Sequence, residues 1–326
     1  MIHRMTRRSA LAALATMPLA RPAFAQPAWP RRTITIICPA AAGGATDILS
    51  RVVAAQMQAA LGVSVVVDNR GGAGGSIATE AGAAATPDGY TLTMGQLGTL
   101  AVNPHLYPRL RYDPMRDFAY LALVAQVPMV LVVPPALGVT TLAEFISRAK
   151  EAPNSIEYGS AGSGSNVHIG MVAFAERAGI EMVHVPFRGS GALMPTLLSG
   201  DIKAAMSGTP SVLPLIRENR LRALAVSAPR RIAQLPDVPA IAETYPGFEA
   251  MQWYGMIAPA RTPEPIRQRL TNVINEAIVT PNMRERLEAE GAEPDVRTPE
   301  AFREFVAAEL ARWGDVVRRN NLRPEN

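Results

Sequence analysis

The chain has 326 residues, of which 48% are hydrophobic and 18% are charged, so it is long and apolar enough to bury two hydrophobic cores. The formal net charge is +4, but Arg4, Arg7, Arg8 and Arg21 all lie near the N-terminus, and the chain beyond them is close to neutral. With no basic stripe, aromatic platform or Cys/His finger spacing, this balance argues against nucleic-acid binding. The single cysteine, Cys38, excludes an intrachain disulfide.

The N-terminus is typical of an export leader. Arginines precede a run of small apolar residues from Ala10 to Ala20, and Ala23–Ala25 before Gln26 has the A-x-A form of a cleavage site. We therefore predict that residues 1–25 are removed and that the mature protein works in the periplasm. Because Thr6–Leu11 resembles a twin-arginine signal, export by the general secretory route and by the twin-arginine route both stay open.

Strands and helices alternate through the first third of the chain. The hydrophobic patterns predict strands at 33–38, 63–68, 90–94 and 120–125, with helices at 46–61 and about 75–86. Such an alternation favours a parallel sheet with crossover helices. The glycine-rich link Asn69–Ser76 lacks the Lys-Ser/Thr pair of a P-loop and the third glycine of a dinucleotide-binding loop, so we interpret it as a tight turn between a strand and a helix.

A second alternation fills the middle third. An uninterrupted apolar strand at 128–133 suits a crossing between two domains, and the apolar strand at 251–258 suits the return. Between and beyond these crossings the patterns predict strands at 156–159, 182–185, 202–206 and 221–226, and helices at 141–150, 166–178, 191–199, 263–279, 281–290 and 299–319. We therefore expect an α/β protein in which 26–127 and 253–326 form domain I, 128–252 form domain II, and the two connections make a hinge.

Two glycine-rich turns are candidate anion sites. The turn 39–45 follows the first strand and opens the helix 46–61, and the turn 158–166 follows another strand and opens the helix 166–178. The first N–H groups of a helix have no partner within it, and the helix dipole adds a partial positive charge there. If the two turns face one another across a cleft, they can hold one acid between them.

An ordered set of short motifs runs through nearly the whole mature chain. It comprises Pro39, Gly43-Gly44, Thr46-Asp47, Asp68–Arg70, Gly72–Gly75, Pro87–Leu92, Tyr112–Pro114, Asp117-Phe118, Tyr158–Gly162, His184–Phe187, Gly189, Leu235–Pro239 and Trp253–Gly255. In this order the set resembles the Bug-type solute-binding receptors of tripartite tricarboxylate transporters. The resemblance implies the two-lobed type II periplasmic binding protein fold, or Venus flytrap, in which two crossover strands join two doubly wound sheets.

The function implied by the resemblance is a periplasmic receptor that closes on a small organic acid, with a di-, tri- or aromatic carboxylate as the ligand class. Membrane permease subunits would be its partners, and we expect a monomer. The implied ligand-binding residues of the first lobe are Ala41, Gly43, Gly44, Thr46, Asp47, Gly98 and Thr99. Those of the second lobe are Ser160, Gly162, Ser163, Gly164, Ser165, Asn166, His168, Arg188 and Thr209.

Several of these residues also have a structural interpretation. The carboxylate of Asp47 would repel an anion and is already useful early in a helix. His168 is better explained by local packing and hydrogen bonding than by ligand contact. For Arg188, contact with a distal acid group and a solvated position on the rim of the cleft are equally good interpretations.

The chain also departs from the family pattern. Ala40 and Ala42 stand where many members carry Phe and Pro, and Ser207–Thr209 stands where many carry Phe-Asp-Asn. The missing acid removes the group best suited to hold a ligand amine, and the missing aromatic ring leaves more room. We therefore expect acids without a required amine, including bulkier ones.

An enzyme, such as a periplasmic hydrolase, is the main alternative. The sequence has no G-x-S-x-G elbow, H-E-x-x-H motif or Cys/His cluster. Ser165 and His168 form a local i,i+3 pair that is better explained as a helix cap than as a nucleophile with its base. We therefore predict no catalytic residue, no metal site and no cofactor. A receptor that reports its ligand to a membrane sensor kinase is a third hypothesis, which the sequence does not separate from uptake.

Overall fold

The computed structural model describes residues 29–324. The predicted leader and its junction at Ala25–Gln26 lie outside the described residues. Ten strands are present in the part described: β1 (Ile34–Cys38), β2 (Val65–Asn69), β3 (Thr91–Gln96), β4 (Phe118–Val133), β5 (Glu157–Ser160), β6 (Val183–Pro186), β7 (Ala205–Gly208), β8 (Arg222–Val226), β9 (Met251–Pro259) and β10 (Glu293–Pro294).

Most of the predicted helices are present within a few residues of their predicted bounds. The helices of residues 29–324 are α1 (Ala45–Leu61), α2 (Ser76–Ala83), α3 (Asn103–Leu106), α4 (Leu142–Glu151), α5 (Asn166–Ala178), α6 (Ser190–Ser199), α7 (Thr209–Arg217), α8 (Ile241–Thr244), α9 (Glu264–Ile278), α10 (Pro281–Ala289) and α11 (Pro299–Arg319). None of them is long and apolar enough to cross a membrane.

The first lobe is built on a mixed sheet. Its strand order is β10-β4-β9-β3-β1-β2, with β1 parallel to both β2 and β3, and β9 antiparallel to β3 and β4. The apolar face of α1, which includes Leu49 and Met57, packs with Ile34 and Ile36 of β1 in one hydrophobic cluster. The predicted parallel alternation is therefore confirmed for β1–β3, and the two long strands add the antiparallel part.

The strand β4 belongs to both lobes. The sequence predicted two strands, 120–125 and 128–133, and this was wrong, because one strand of 16 residues runs from Phe118 to Val133. Its first part pairs with β9 as far as Pro128 opposite Met251, and its last part, from Met129, pairs with β7 and β8. Every residue of β4 except Gln126 is buried, since both halves are covered; this explains the uninterrupted apolar run.

The change of partner along β4 supports the predicted division into domains. At Pro128 the strand leaves the β9 ladder and enters the second lobe, while β9 begins at Met251 on the adjacent strand. We propose that the lobes divide between 127 and 128 and between 252 and 253, with β4 and β9 as the two connections. Two side-by-side strands let the lobes rotate while the ladder between them stays intact.

The second lobe contains a helix that the sequence did not predict. The helix α7 carries Pro210 in its first turn and Pro214 inside it, and two prolines within nine residues argue against a helix from sequence alone. A proline in the first turn removes an N–H that has no helical acceptor, so Pro210 costs little there. Val212 and Leu213 hold the helix against the core of the lobe. The helix α7 begins at Thr209, directly after β7 ends at Gly208.

Candidate ligand-binding cleft

A small cavity of about 30 Å³ lies between the two lobes. Its wall consists of Pro39, Ala40, Ala45, Thr46, Gly71, Gly72, Gly74, Gly75, Gln96, Ala161, Ser165, Asn166, Val167, Gly189, Ser190, Ser207, Gly208, Ser211, Gln252 and Tyr254. Residues from both lobes thus close around a volume sufficient for only a few water molecules. An organic acid can enter this cavity only when the lobes separate.

Five helices begin at the wall of this cavity. They are α1 at Ala45, α2 after its N-cap Gly75, α5 at Asn166, α6 at Ser190 and α7 after its N-cap Gly208. Each N-terminus contributes unpaired N–H groups and the positive end of a helix dipole. The cavity is therefore surrounded by partial positive charge that belongs to the backbone and not to side chains.

Several backbone amides at the wall are available to a ligand. In the second lobe the N–H groups of Ala161, Asn166 and Val167 have no hydrogen-bond acceptor among the described residues, and in the first lobe the same holds for Ala45 and Thr46. Such groups are satisfied by water or by an anion. The two lobes thus offer donors from opposite sides of one cavity.

The wall has polar side chains but no charged one. Among residues 29–324 no Asp, Glu, Lys, Arg or His lines the cavity, and burial raises the pKa of the Tyr254 phenol, which stays protonated. The hydroxyls of Ser207 and Ser211 are buried in this wall and have no hydrogen-bond partner among the described residues. An ammonium group in this cavity would face no carboxylate, whereas a carboxylate would face backbone amides and the hydroxyls of Ser207 and Ser211.

Asn166 connects the lobes directly. Its Oδ1 accepts a hydrogen bond from the Gly98 amide at 2.7 Å, and its Nδ2 donates to Gln96 Oε1 at 3.1 Å. The Thr46 hydroxyl donates to the same Gln96 oxygen at 2.8 Å. A second contact between the lobes is the Tyr107 hydroxyl, which donates to the Ser163 carbonyl at 2.8 Å. These bonds fix how the two glycine-rich turns face one another.

The backbones of the lobes approach so closely that several glycines leave no room for a side chain. A Cβ at Gly98 would lie 2.7 Å from the carbonyl oxygen of Gly164, and a Cβ at Gly191 would lie 2.6 Å from that of Ala42. In both cases the obstructing atom belongs to the backbone of the opposite lobe. The absence of a side chain at these positions therefore sets how far the cleft can close.

The comparisons agree with this architecture. The sequence matches the family model described as "Tripartite tricarboxylate transporter family receptor" over residues 49–322. The chain belongs to this receptor family. It is similar to the protein BugT of Bordetella pertussis (strain Tohama I / ATCC BAA-589 / NCTC 13251), with 38% identity over 307 residues that cover 94% of each chain.

Solved structures of related receptors show the same fold. "R. palustris Rpa4515 with adipate" superposes with a TM-score of 0.87 at 34% identity and covers 89% of this chain and 98% of its own. "MatC (Rpa3494) from Rhodopseudomonas palustris with bound malate" superposes with a TM-score of 0.84 at 33% identity and covers 89% of this chain and 100% of its own. The predicted two-lobed type II periplasmic binding protein fold is thereby confirmed.

The family also decides between a receptor and an enzyme. Its members and the structural neighbours are substrate-binding receptors, so the chain is a solute-binding receptor and not an enzyme. The Ser165 hydroxyl accepts the His168 amide at 3.3 Å and caps α5, as the sequence interpretation held. No group of three or more His, Cys, Asp or Glu within residues 29–324 could hold a metal ion.

Three of the predicted ligand-binding residues, Thr46, Ser165 and Asn166, line the cavity of the receptor. Others lie beside it and contact the opposite lobe. A Cβ at Gly44 would lie 3.4 Å from Ser190 Cβ, and the positions of Ala41, Gly98, Gly162, Ser163 and Gly164 are likewise within 4 Å of the opposite lobe. Most of the glycine-rich turn residues therefore form the contact between the lobes around the cavity.

Asp47 points away from the cavity into its own turn. Its carboxylate accepts hydrogen bonds from the Gly43 amide and from Asn69 Nδ2, both at 2.9 Å, and pairs with Arg51 at 2.9 Å. Burial of the carboxyl acts to raise its pKa, but the bonds from Arg51, Gly43 and Asn69 together lower the pKa below its ordinary value. Asp47 is thus an anion with its own partners, which matches the structural interpretation.

Five more predicted residues lie outside the wall. The Thr99 hydroxyl donates to the Gln96 carbonyl at 3.2 Å, and the Thr209 hydroxyl donates to the Gly291 carbonyl at 2.9 Å. Arg188 is exposed, and its carbonyl oxygen lies against Gly71 of the first lobe. Ser160 and His168 are buried behind the second turn, where His168 makes the local contacts that its structural interpretation requires.

The sequence interpretation missed part of the wall. The glycine-rich link around Gly71–Gly75, interpreted as a tight turn only, is such a turn but also faces the cavity. Gln96, Gln252 and Tyr254 were missed as wall residues because they belong to the strands β3 and β9, and their proximity depends on how these two strands pair. For the link Gly71–Gly75, its paired glycines were the signal in the sequence that could have indicated its place at the cavity.

Proposed function

We propose that the receptor binds a small organic acid in the periplasm, between its two lobes, and delivers it to a transporter of the tripartite tricarboxylate type. The observation that carries this proposal is the convergence of five helix N-termini on a cavity without a charged side chain. Backbone donors at helix N-termini favour anions. The relatives described with adipate and with malate support a carboxylate as that anion, and the predicted leader supports export.

The binding mechanism follows from the position of the donors. The second lobe offers the amides of Ala161, Asn166 and Val167, and the first lobe offers those of Ala45 and Thr46. A carboxylate that leaves water must regain several hydrogen bonds, so the donors of one lobe are not enough and affinity requires closure. We infer rotation of the lobes about the β4 and β9 connections as the step that completes the site.

The ligand contacts belong to a subset of the predicted residues. Thr46, Ser165 and Asn166 reach the acid with their hydroxyl or amide groups, whereas Asp47 and His168 shape the turns from behind. The remaining turn residues, Ala41, Gly43, Gly44, Gly98, Thr99, Ser160, Gly162, Ser163, Gly164, Arg188 and Thr209, act through the backbone shape and the contact between the lobes. Unpaired hydroxyls at Ser207 and Ser211 extend the polar wall toward a second polar group of the ligand.

A ligand amine is not required. In many members of the family an acid stands at the position of Gly208, and here Gln252 Oε1 lies only 2.7 Å from where a Cβ at that position would be. The neutral amide of Gln252 thus occupies the space that an acid would need. We expect a dicarboxylate to bind more tightly than its 2-amino counterpart.

The experiment is a thermal-shift screen of the mature protein against mono-, di-, tri- and aromatic carboxylates, followed by calorimetry. A ligand that binds only the folded state at a hundredfold excess over Kd stabilises it by about 2.7 kcal/mol. Adipate and malate are compared with 2-aminoadipate and aspartate. If none of the acids shifts the unfolding midpoint, or if the amino acids bind more tightly than the acids, the proposal is wrong.

A further inference from the structure

Two histidines lie in parallel behind the glycine-rich turn of the second lobe. His168 is in the first turn of α5 and His184 is on β6, and their ring centroids are 4.0 Å apart with an interplanar angle of 15°. The ring of Tyr158, on β5, stacks against His184 at 5.1 Å. Neither imidazole lines the cavity, so the binding mechanism described above does not use them directly.

Each imidazole is bonded to the turn in front of it. The Gly164 amide donates to His168 Nδ1 at 3.1 Å. His184 Nε2 lies 2.6 Å from the Ser160 hydroxyl, which itself accepts the Gly162 amide at 3.1 Å. In the His184 tautomer that carries its proton on Nδ1, the Ser160 hydroxyl donates to Nε2 while its oxygen accepts the Gly162 amide. Both rings therefore serve the turn as hydrogen-bond acceptors.

The acceptor role requires uncharged rings. Burial lowers the pKa of His168 to about 3, with a further contribution from His184, and burial lowers the pKa of His184 to about 4. Tyr158 and the other imidazole are titratable groups that face the two rings. Two stacked rings at this distance cannot both carry a charge without strong repulsion.

The turn depends on these bonds for its shape. Gly162 and Gly164 have φ angles of 108° and 81°, which open the turn away from regular structure. Their amides donate to the hydroxyl and the imidazole, whereas the amides of Ala161 and Asn166, which line the cavity, have no acceptor among the described residues. A turn without its inward bonds would have buried donors to satisfy and would leave this conformation.

We propose that His168 and His184 form a pair of neutral positioning residues that hold the turn 160–165 in its binding conformation. The proposal rests on the proposed function in that the turn contacts the acid, but the pair acts on the turn whether or not a ligand is present. Neither residue touches the ligand. The specific requirement is a hydrogen-bond acceptor at the position of His168 Nδ1 and at that of His184 Nε2.

The test compares variants that keep or remove the acceptor. His168→Asn places an oxygen where Nδ1 stands, and His184→Gln places a polar group near Nε2, whereas His168→Leu and His184→Leu keep bulk alone. Amide hydrogen exchange of Gly162 and Gly164 is measured without ligand by NMR, and adipate affinity is measured by calorimetry. Circular dichroism checks the fold of each variant. If His168→Leu does not fold, the comparison of His184→Leu with His184→Gln tests the proposal alone.

We expect the leucine variants to speed exchange of the bonded amide and to weaken adipate binding by about tenfold or more, as for loss of one buried acceptor. The Asn and Gln variants should stay within about threefold of the wild type. In the wild type, imidazole ¹⁵N shifts should show His168 neutral, with the proton on Nε2, from pH 8 to pH 5.

Two results would overturn the proposal. One is that the leucine variants and the polar variants have equal amide exchange rates and equal adipate affinity, which would show that the two histidines only fill space. The other is a His168 Nδ1 that carries the proton at neutral pH. If the wild type does not bind adipate, the proposed function fails for that acid, while the exchange measurements still decide the role of the histidines.

Discussion

Closure of the cleft can be tested with one methyl group at Gly98. The Cβ of Gly98→Ala would lie 2.7 Å from the Gly164 carbonyl oxygen, 3.1 Å from Asn166 Oδ1 and 3.3 Å from Ser165 Cα, all in the opposite lobe. Gly98 is in a right-handed helical turn and not in the left-handed region, so alanine strains nothing within its own lobe. The variant should therefore fold normally and fail only on closing.

The magnitude follows from the contacts that closure makes at this point. A methyl group forced into a packed site costs about 1–3 kcal/mol, and the 2.7 Å bond from the Gly98 amide to Asn166, worth about 0.5–1.5 kcal/mol net, lengthens as the lobes move apart. If only the closed form binds tightly, a combined loss of about 1.5–4.5 kcal/mol raises Kd by about 10-fold to 2000-fold.

The assay combines calorimetry with small-angle scattering. Wild-type protein should lose radius of gyration when it binds the acid, and Gly98→Ala should lose less at equal saturation. Gly44→Ala is the matched control, because its Cβ would also lie in the contact between the lobes, at an ordinary 3.4 Å from Ser190 Cβ, and Gly44 is not part of the cavity wall. An affinity of Gly98→Ala equal to that of the wild type would show that the backbones need not approach this closely, and the reasoning would be refuted.

Three further predictions concern the turns. Ser163→Pro should abolish acid binding, because proline removes an N–H and restrains the turn. Ser163→Ala should leave Kd within about threefold in calorimetry, because the Ser163 hydroxyl is buried without a partner among the described residues and its loss breaks no bond. Asp47→Asn should lower the unfolding free energy by about 1–2 kcal/mol in urea titrations, since the turn loses its ion pair with Arg51; an unchanged free energy would contradict this. The unfolding free energy should also fall as the pH drops from about 6.5 toward 4. In this range His168 and His184 bind protons in the unfolded chain, whereas in the folded protein burial keeps both imidazoles neutral. For His168 the slope is at most about 1.4 kcal/mol per pH unit, and it is smaller for the more exposed His184. A slope that persists in the His168→Asn/His184→Gln double variant would assign it to other groups.

Local signals in the sequence were sufficient for the parts of the fold that depend on local chemistry. The helices 166–178 and 299–319 have the predicted bounds because a Ser or Thr N-cap precedes each of them and their periodicity is strong. The helix α7 was missed because the local cost of Pro214 argues against a helix, and tertiary packing of Val212 and Leu213 outweighs that cost. The join of two predicted strands into β4 likewise depends on partners distant in the chain.

The candidate site likewise has one part that local sequence signals predict and another that depends on how distant segments pack. The two turns that open α1 and α5 were visible as glycine-rich sequences between a strand and a helix, and Thr46, Ser165 and Asn166 follow from them. The third glycine-rich link, at Gly71–Gly75, reaches the cavity only because β1 lies between β2 and β3. No local pattern brings Gln96 and Gln252 together, since they belong to strands far apart in the chain that lie side by side in the sheet.

The uncharged wall has a consequence for selectivity. A receptor that binds an anion with an arginine gains affinity for any anion near that charge, whereas backbone amides at five helix N-termini act over short distances and in fixed directions. The Gln252 side chain adds to this, because its oxygen accepts the Tyr254 hydroxyl and fills the space beside Gly208. Recognition must then depend on where the oxygens of the acid lie relative to the turns, and not on its total charge. Two dicarboxylates of equal charge and different length should accordingly differ in affinity by more than a change in salt concentration alters either one, because the site has no charged side chain for salt to screen.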